Sequence, residues 1–354
     1  MKIAVLGVGL IGGSIGLAAG EHVEDAEVVG FGRDRGRLER ARELGAIDRA
    51  ADSIAAALHG ADLCFACAPV GALPDLVRAA LAAAGPDCVV TDVGSTKQGL
   101  LTAIDDERFV GGHPIAGADT AGVEHARDDL FQGAVWYLTP LPHSGGLLYE
   151  RLHRFLVDIG ARPVAVDPAT HDRLVAVFSH LPHVLANVLA SQAAGRLADH
   201  GDALSQVGPS FRDMTRVAGA NSEIWTDIYR ANRAAIVEEI SHFRRELERV
   251  EALLAEGDVT SWNERSREDR RALLESDRAG APVHELRLTV PNRPGIVAQV
   301  ALELAKAGVN IVDLALAPAS DMRSGAMTLW IAGDTEATRA EQLIAELGFP
   351  VAEL

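Results

Sequence analysis

Cysteine is scarce in this 354-residue chain, and positive charge is in deficit throughout. Lysine is absent from residues 168–277. The three cysteines are Cys64, Cys67 and Cys88. Cys64 and Cys67 form a CxxC, but within an apolar run over 61–69 that reads as a buried strand. No second Cys/His pair stands nearby to complete a site, so free buried thiols are expected and no metal. A reduced, cytoplasmic setting is the matching expectation. Asp and Glu outnumber Lys and Arg by 50 to 33, for a formal net charge of −17. Such a surface repels phosphate backbones and anionic headgroups, so neither nucleic acid nor a membrane is expected as partner. No run of about 18 unbroken apolar residues announces a membrane span. The apolar start after Met1-Lys2 imitates a secretion signal, but Gly7, Gly9, Gly12, Gly13, Gly16 and Gly20 interrupt it with a spacing of their own. What remains is 48% hydrophobic and 23% charged, an ordinary folded composition long enough for two or three domains.

The texture changes twice along the chain. Over 1–167, strand-like segments at 3–6, 27–31, 62–67 and 88–92 alternate with helix-like ones at 14–19, 35–44, 54–59 and 73–84. Further strands are expected at 135–139 and 162–166. This βαβα order predicts a parallel sheet wound on both faces, an α/β Rossmann-like domain. From 168 to 278 helical periodicity dominates, with long helices over 170–199, 221–256 and 260–276 and a turn-rich stretch at 193–208. That segment reads as an all-α domain. Residues 278–282 form a small-residue hinge. Over 283–354 the order is βαββαβ, with a last strand at 351–354, and a ferredoxin-like α+β domain is expected.

Gly7-Val8-Gly9-Leu10-Ile11-Gly12 follows the first strand and opens a helix. In that context a GxGxxG is a dinucleotide signature. Gly7 allows the tight turn, Gly9 lets a pyrophosphate approach the backbone, and Gly12 lets helix and strand pack closely. Leu10 and Ile11 complete the cofactor loop, and the phosphates meet the helix N-terminus. At the end of the second strand, Gly32 occupies the place where a carboxylate would hold the ribose 2′-OH of NAD. Arg33 beside it favours a 2′-phosphate, hence NADP; Asp34 keeps NAD open.

Polar motifs carry the remaining chemistry. Asp92-Val93-Gly94-Ser95-Thr96-Lys97 follows an apolar strand at the carboxyl edge of the sheet, where ligands of open α/β sheets bind. Gly111-Gly112-His113-Pro114-Ile115-Ala116-Gly117 places a histidine in an expected loop near the same crevice. The helical segment contributes His171-Asp172, Ser179-His180-Leu181-Pro182-His183, Phe211-Arg212-Asp213-Met214-Thr215-Arg216 and Trp225. Taken in order, GLIGGS, DVGSTK, GGHPIAG, SHLPH and FRDMTR with Trp225 nine residues on, the chain resembles the prephenate/arogenate dehydrogenases of tyrosine biosynthesis over nearly its whole length.

That resemblance implies an NAD(P)-dependent oxidative decarboxylation. A base takes the C4 hydroxyl proton of prephenate, hydride leaves C4 for the nicotinamide, and CO2 leaves C1. The product is 4-hydroxyphenylpyruvate, or tyrosine when arogenate is the substrate. It implies His113 as base, Ser95 bonded to His113 and the substrate hydroxyl, and Lys97 as anchor of its loop or source of positive potential. Arg216 is implied for the ring carboxylate and His183 as a second contact, with Arg212, His180 and Trp225 around them. Arg212 is equally readable as pairing with Asp213 or Asp172, and His180 as packing against a neighbouring helix. His171-Asp172 opens a helix and orients the site or merely caps it. Asp213 gates the entrance or does nothing measurable.

Residues 284–354 resemble an ACT domain, and Pro291-Asn292-Arg293-Pro294-Gly295 is the loop that carries the likeness. Asn292, Gly295 and Asn310 are then the implied effector contacts and tyrosine the effector; a purely dimerising domain is the alternative. The resemblance also implies a homodimer through the helical domain, where 232–256 carries a long apolar stripe. Two competing readings are a β-hydroxyacid dehydrogenase-like enzyme, which the lysine-free 168–277 disfavours, and a non-catalytic sensor, which would not need Ser95, His113 and Arg216.

Overall fold

The computed structural model describes residues 1–117, 120–198, 208–257, 259–275, 283–318, 323–349 and 351–352. The expected hinge at 278–282, most of the turn-rich stretch at 193–208 and the end of the last strand lie outside the described residues. Two compact units are present. One comprises Met1–Asp172, Thr226–Ala231 and Val283–Leu354; the other comprises Arg173–Trp225 and Asn232–Pro282.

The first unit begins with β1 (Lys2–Leu6), α1 (Leu10–His22), β2 (Glu27–Phe31), α2 (Arg35–Glu43), β3 (Arg49–Ala50), α3 (Ile54–Leu58) and β4 (Leu63–Ala66). It continues with α4 (Leu73–Ala83), β5 (Val89–Asp92), α5 (Gln98–Ala103), β6 (Phe109–Pro114), β7 (Val135–Pro140), α6 (Gly146–Asp158) and β8 (Arg162–Ala165). All eight strands share one sheet, in the order β3-β2-β1-β4-β5-β6-β7-β8. Its faces are both covered: Ile3 and Val5 of β1 join a core with Phe65, Trp136 and Phe155, while Ala4 and Leu6 join another with Leu73, Val77 and Phe109. Burial on both sides explains why β1 from Ile3 onward and β4 read as unbroken apolar runs.

The sheet departs from the all-parallel expectation. β6 and β7 are antiparallel, so β7 and β8, parallel to each other, run against the rest. The reason is the connection: between β6 and β7 the described residues hold only a 3₁₀ turn, Val123–His125, rather than the crossover helix that a parallel neighbour needs. Cys64 and Cys88 are buried in this core. Burial pushes all three thiols up, Cys88 to about 11, which disfavours the reactive thiolate.

After β8, α7 (Pro168–Val175) leads through a π-helical turn, Ala176–His180, into α8 (Leu181–Ala198). Then follow α9 (Pro209–Thr215), a 3₁₀ turn Arg216–Gly219, α10 (Ser222–Ala231), α11 (Arg233–Glu256) and α12 (Thr260–Glu275). The single helix expected over 221–256 is two, broken at the buried Asn232, whose Nδ2 stands 3.1 Å from His180 Nδ1. α11 stops at Gly257 (φ +82°), a left-handed position that favours glycine. Pro168–Leu197 contains no unbroken run of about 18 apolar residues, but it is apolar and long enough to cross a membrane by length and composition alone. Its His171, Asp172, His180 and His183 are buried within the chain, while Val177, Phe178 and Val188 are exposed.

The chain closes with β9 (Val283–Pro291), α13 (Ile296–Lys306), β10 (Ile311–Pro318), β11 (Ser324–Ala332), α14 (Asp334–Glu346) and β12 (Val351–Ala352). The strands form an antiparallel sheet in the order β10-β11-β9-β12, the ferredoxin-like arrangement. This part packs on α6 and the turn before it. Gly295 (φ +81°) donates its N–H to Ser144 O at 2.8 Å, and a Cβ there would stand 1.8 Å from Pro142 O. Gly295 therefore lies against Ser144 and Pro142 instead of presenting its N–H to an effector. His153 of α6 is buried with no hydrogen-bond partner, 3.8 Å from Asp313 of β10. Burial lowers its pKa to about 3.

Candidate active site

The glycine loop is built as its spacing predicts. Gly7 (φ +105°) donates its N–H to Phe31 O at 2.8 Å, and a Cβ there would meet Cys67 O at 2.0 Å. At Gly12 a Cβ would meet Gly7 O at 2.2 Å, whereas at Gly9 nothing lies within 4 Å. Two glycines thus close the turn and the third leaves the backbone bare. The α1 N-terminus has neither a side-chain cap nor an acid in its first turn. Leu10 and Ile11, half-buried, open that helix. The loop fits a dinucleotide pyrophosphate. A cavity of about 470 Å³ lined by Leu10, Gly117, Thr120, Glu124 and Leu130 adjoins it. At the end of β2, Asp34 Oδ1 accepts from Arg37 N at 3.1 Å and caps α2, while Arg33 is exposed.

At the carboxyl edge of the sheet, Lys97 is fully buried and its Nζ meets Asp92 Oδ2 at 2.5 Å. The same oxygen accepts from Gly94 N at 2.8 Å, and Asp92 Oδ1 from Gly112 N at 3.1 Å. Asp92 therefore ties the β5–α5 turn to β6. His113 is not in a loop. It is the fifth residue of β6, opposite Tyr137 of β7. The two glycines before it are strand residues because packing leaves no room: a Cβ at Gly111 would stand 2.2 Å from Thr139 Oγ1, and one at Gly112 2.6 Å from Asp92 O.

Asp167 caps α7, accepting from Thr170 N at 3.0 Å, with Pro168 following it at the first helical position. That start brings the next turn back to the sheet. Asp172 accepts from Lys97 N at 2.8 Å and Gln98 N at 3.0 Å, satisfying the first donors of α5. His171 lies between Asp172 and His113: its Nδ1 is 2.8 Å from Asp172 Oδ1, its Nε2 2.9 Å from His113 Nδ1. Tyr137 stands edge-on to His171, ring centroids 5.5 Å apart. Burial lowers the pKa of His171, with the Asp172 hydrogen bond opposing it.

In the other unit, His183 stacks flat on Trp225, centroids 3.5 Å apart and planes 3° off parallel. His180 meets the same indole edge-on at 5.9 Å. Asn187 Nδ2 lies 3.2 Å from His183 Nδ1 and donates to its carbonyl at 2.8 Å. Burial lowers the His183 pKa; the Val217 backbone opposes the shift. Arg216 is exposed at the C-terminal end of α9. Arg212 is exposed one turn earlier.

Comparison with known proteins agrees with this architecture. Residues 15–165 match the nucleotide-binding domain of prephenate dehydrogenase and residues 167–267 its dimerization domain. The cyclohexadienyl dehydrogenase of Zymomonas mobilis is 30% identical over 77% of this chain and 94% of its own length. The chain belongs to the prephenate dehydrogenase family. The Bacillus subtilis prephenate dehydrogenase is 29% identical over 97% of this chain and 95% of its own, C-terminal part included. Among solved structures, Aquifex aeolicus prephenate dehydrogenase in complex with hydroxyphenyl propionate and NAD+ superposes with a TM-score of 0.72 at 28% identity, over 78% of this chain and 98% of that one.

Within this family member, Lys97, His113, His171 and Asp172 are brought together, and so are His180, His183 and Trp225. The expected Ser95–His113 hydrogen bond is absent: Ser95, half-buried, makes none among the described residues, and His171 holds His113 instead. Lys97 is turned into the sheet rather than toward a substrate. Asp92 joins this group as well, and its signal in the sequence is an acid ending a buried strand two residues before a glycine.

Proposed function

We propose that this protein is a cytosolic homodimeric prephenate dehydrogenase converting prephenate to 4-hydroxyphenylpyruvate in L-tyrosine biosynthesis. The observation that carries the reading is His113, half-buried on β6 and held at Nδ1 by a buried polar chain, in a member of this family. A histidine so placed is suited to proton transfer near neutral pH. Nicotinamide, when bound, supplies the acceptor for the C4 hydride. Gly7, Gly9, Leu10, Ile11 and Gly12 hold the dinucleotide. His113 removes the C4 hydroxyl proton, and Ser95, with its hydroxyl uncommitted, bonds the substrate oxygen. Arg216 takes the ring carboxylate as C1 loses CO2, with Arg212, His183, His180 and Trp225 as further substrate contacts; Lys97 anchors the Ser95 turn through Asp92.

NADP is the favoured cofactor, because Asp34 is committed to capping α2 while Arg33 is exposed beside Gly32. The C-terminal segment acts as an ACT domain for tyrosine, with Asn292 and Asn310 as effector contacts: Asn310 Oδ1 is buried without a hydrogen-bond partner, and Asn292 follows β9 in the Pro-Gly loop. Dimerisation covers α11, whose Val237, Leu247 and Leu254 are more than half exposed. One assay tests the whole: reduced-nucleotide formation with prephenate or arogenate, crossed with NAD or NADP, with and without tyrosine. Turnover with prephenate and NADP, inhibited by tyrosine, is expected. Turnover with arogenate alone gives the alternative substrate, and none in any pairing ends the reading.

A further inference from the structure

His171 and Asp172 join three parts of the sheet edge. Asp172 already receives two backbone N–H groups, from Lys97 and Gln98. A carboxylate so engaged accepts again rather than donates, so His171 Nδ1 carries the hydrogen shared with Asp172 Oδ1 at 2.8 Å. His171 is fully buried, and burial favours its neutral ring. A neutral ring with hydrogen on Nδ1 has only a lone pair at Nε2. His113 Nδ1, 2.9 Å from that lone pair, must then be the donor. One hydrogen on Nδ1 leaves His113 Nε2 bare.

We infer that His171, oriented by Asp172, is a positioning residue that selects the Nδ1–H tautomer of His113 and so makes Nε2 the nitrogen that takes the substrate proton. This rests on His113 being the base. The charged and titratable groups facing His171 are Asp172 on its own helix, Lys97 and Asp92 from the β5–α5 turn, Tyr137 from β7 and His113 itself. Asp172 also fixes the first turn of α5, so the base and the turn carrying Ser95 are held by one carboxylate. Such support of a reacting group keeps it in productive geometry before substrate arrives.

The test uses the full chain as wild type, His171→Leu and His171→Gln. Imidazole 15N spectra, with the His113 signals assigned by their loss in His113→Asn, are expected to show hydrogen on Nδ1 and a bare Nε2 in the wild type. His171→Leu should redistribute that hydrogen and lower kcat about 10–100-fold, part of the roughly 10²–10⁴ a positioned base contributes. Substrate KM and nucleotide Kd should stay within about threefold. The acid limb of kcat/KM should move to lower pH, because the acceptor that stabilises the imidazolium is gone. Glutamine can accept at its amide oxygen and donate to Asp172, so His171→Gln should restore most of kcat. Hydrogen on Nε2 of wild-type His113, or equal losses in both variants with the tautomer unchanged, would overturn the inference. The spectra need no substrate, so they decide it even if neither prephenate nor arogenate turns over.

Discussion

The sheet edge around Asp92 and the turn around Arg216 are both rich in charge, and they are made in opposite ways. At the sheet edge Lys97 and Asp92 are fully buried and bonded to each other, and Gly94, Gly112 and Thr96 all bond to the pair. At the turn, Arg212 and Arg216 are exposed, and α11 leaves apolar side chains in the open. One region is closed off within the fold; the other faces outward. The same kind of residue is thus built into the core in the first place and held at the surface in the second, and burial rather than residue type separates the two.

Substitutions sharpen that contrast. The largest effect is expected for Lys97→Met, which leaves Asp92 buried without its cation. A loss of about 3–5 kcal/mol is expected, read as a fall in the urea midpoint; a loss under about 1 kcal/mol would mean water reaches Asp92. An intermediate effect is expected at His153, buried beside Asp313. Below pH 6.5 the unfolded chain takes up a proton at this position, while the folded chain does not until about pH 3. Stability therefore falls by up to about 1.4 kcal/mol per pH unit through that window and is unaffected above it. Thermal unfolding from pH 7 to pH 4 should show a smaller decline for His153→Phe than for wild type; equal declines would place the acid sensitivity elsewhere. The smallest stability effect is expected for Arg216→Ala, within about 0.5 kcal/mol, although its substrate KM should rise tenfold or more, about 1.4 kcal/mol of lost binding. If nucleotide binding weakens instead, Arg216 does not serve the substrate.

Much of this contrast was legible beforehand. The GxGxxG loop, the apolar strands at 3–6, 62–67 and 88–92 and the βαββαβ order of the last segment carry periodicities that local chemistry imposes. Helix α6 is legible as well, since Tyr149, Leu152, Phe155, Leu156 and Ile159 recur at helical spacing between two strands. Gly111-Gly112 reads as loop because glycine weakens a strand; the side chains that exclude a Cβ there come from Thr139, Thr91 and Trp136, far along the chain. The reversal of β7 follows from a connection without a helix. The His171–His113 contact spans 58 residues, a distance no local pattern can bridge. The motif points to Ser95 as the partner of His113, whereas the hydrogen bond is made by His171, which the helix start capped at Asp167 carries there.

The central claim is that His113 is the base of the reaction. Single-turnover nucleotide reduction by His113→Asn against wild type, with cofactor Kd measured alongside, tests it most directly. A drop in the rate of about 10²–10⁴ with cofactor Kd unchanged is predicted. A rate close to wild type would contradict it and move the proton transfer to another group.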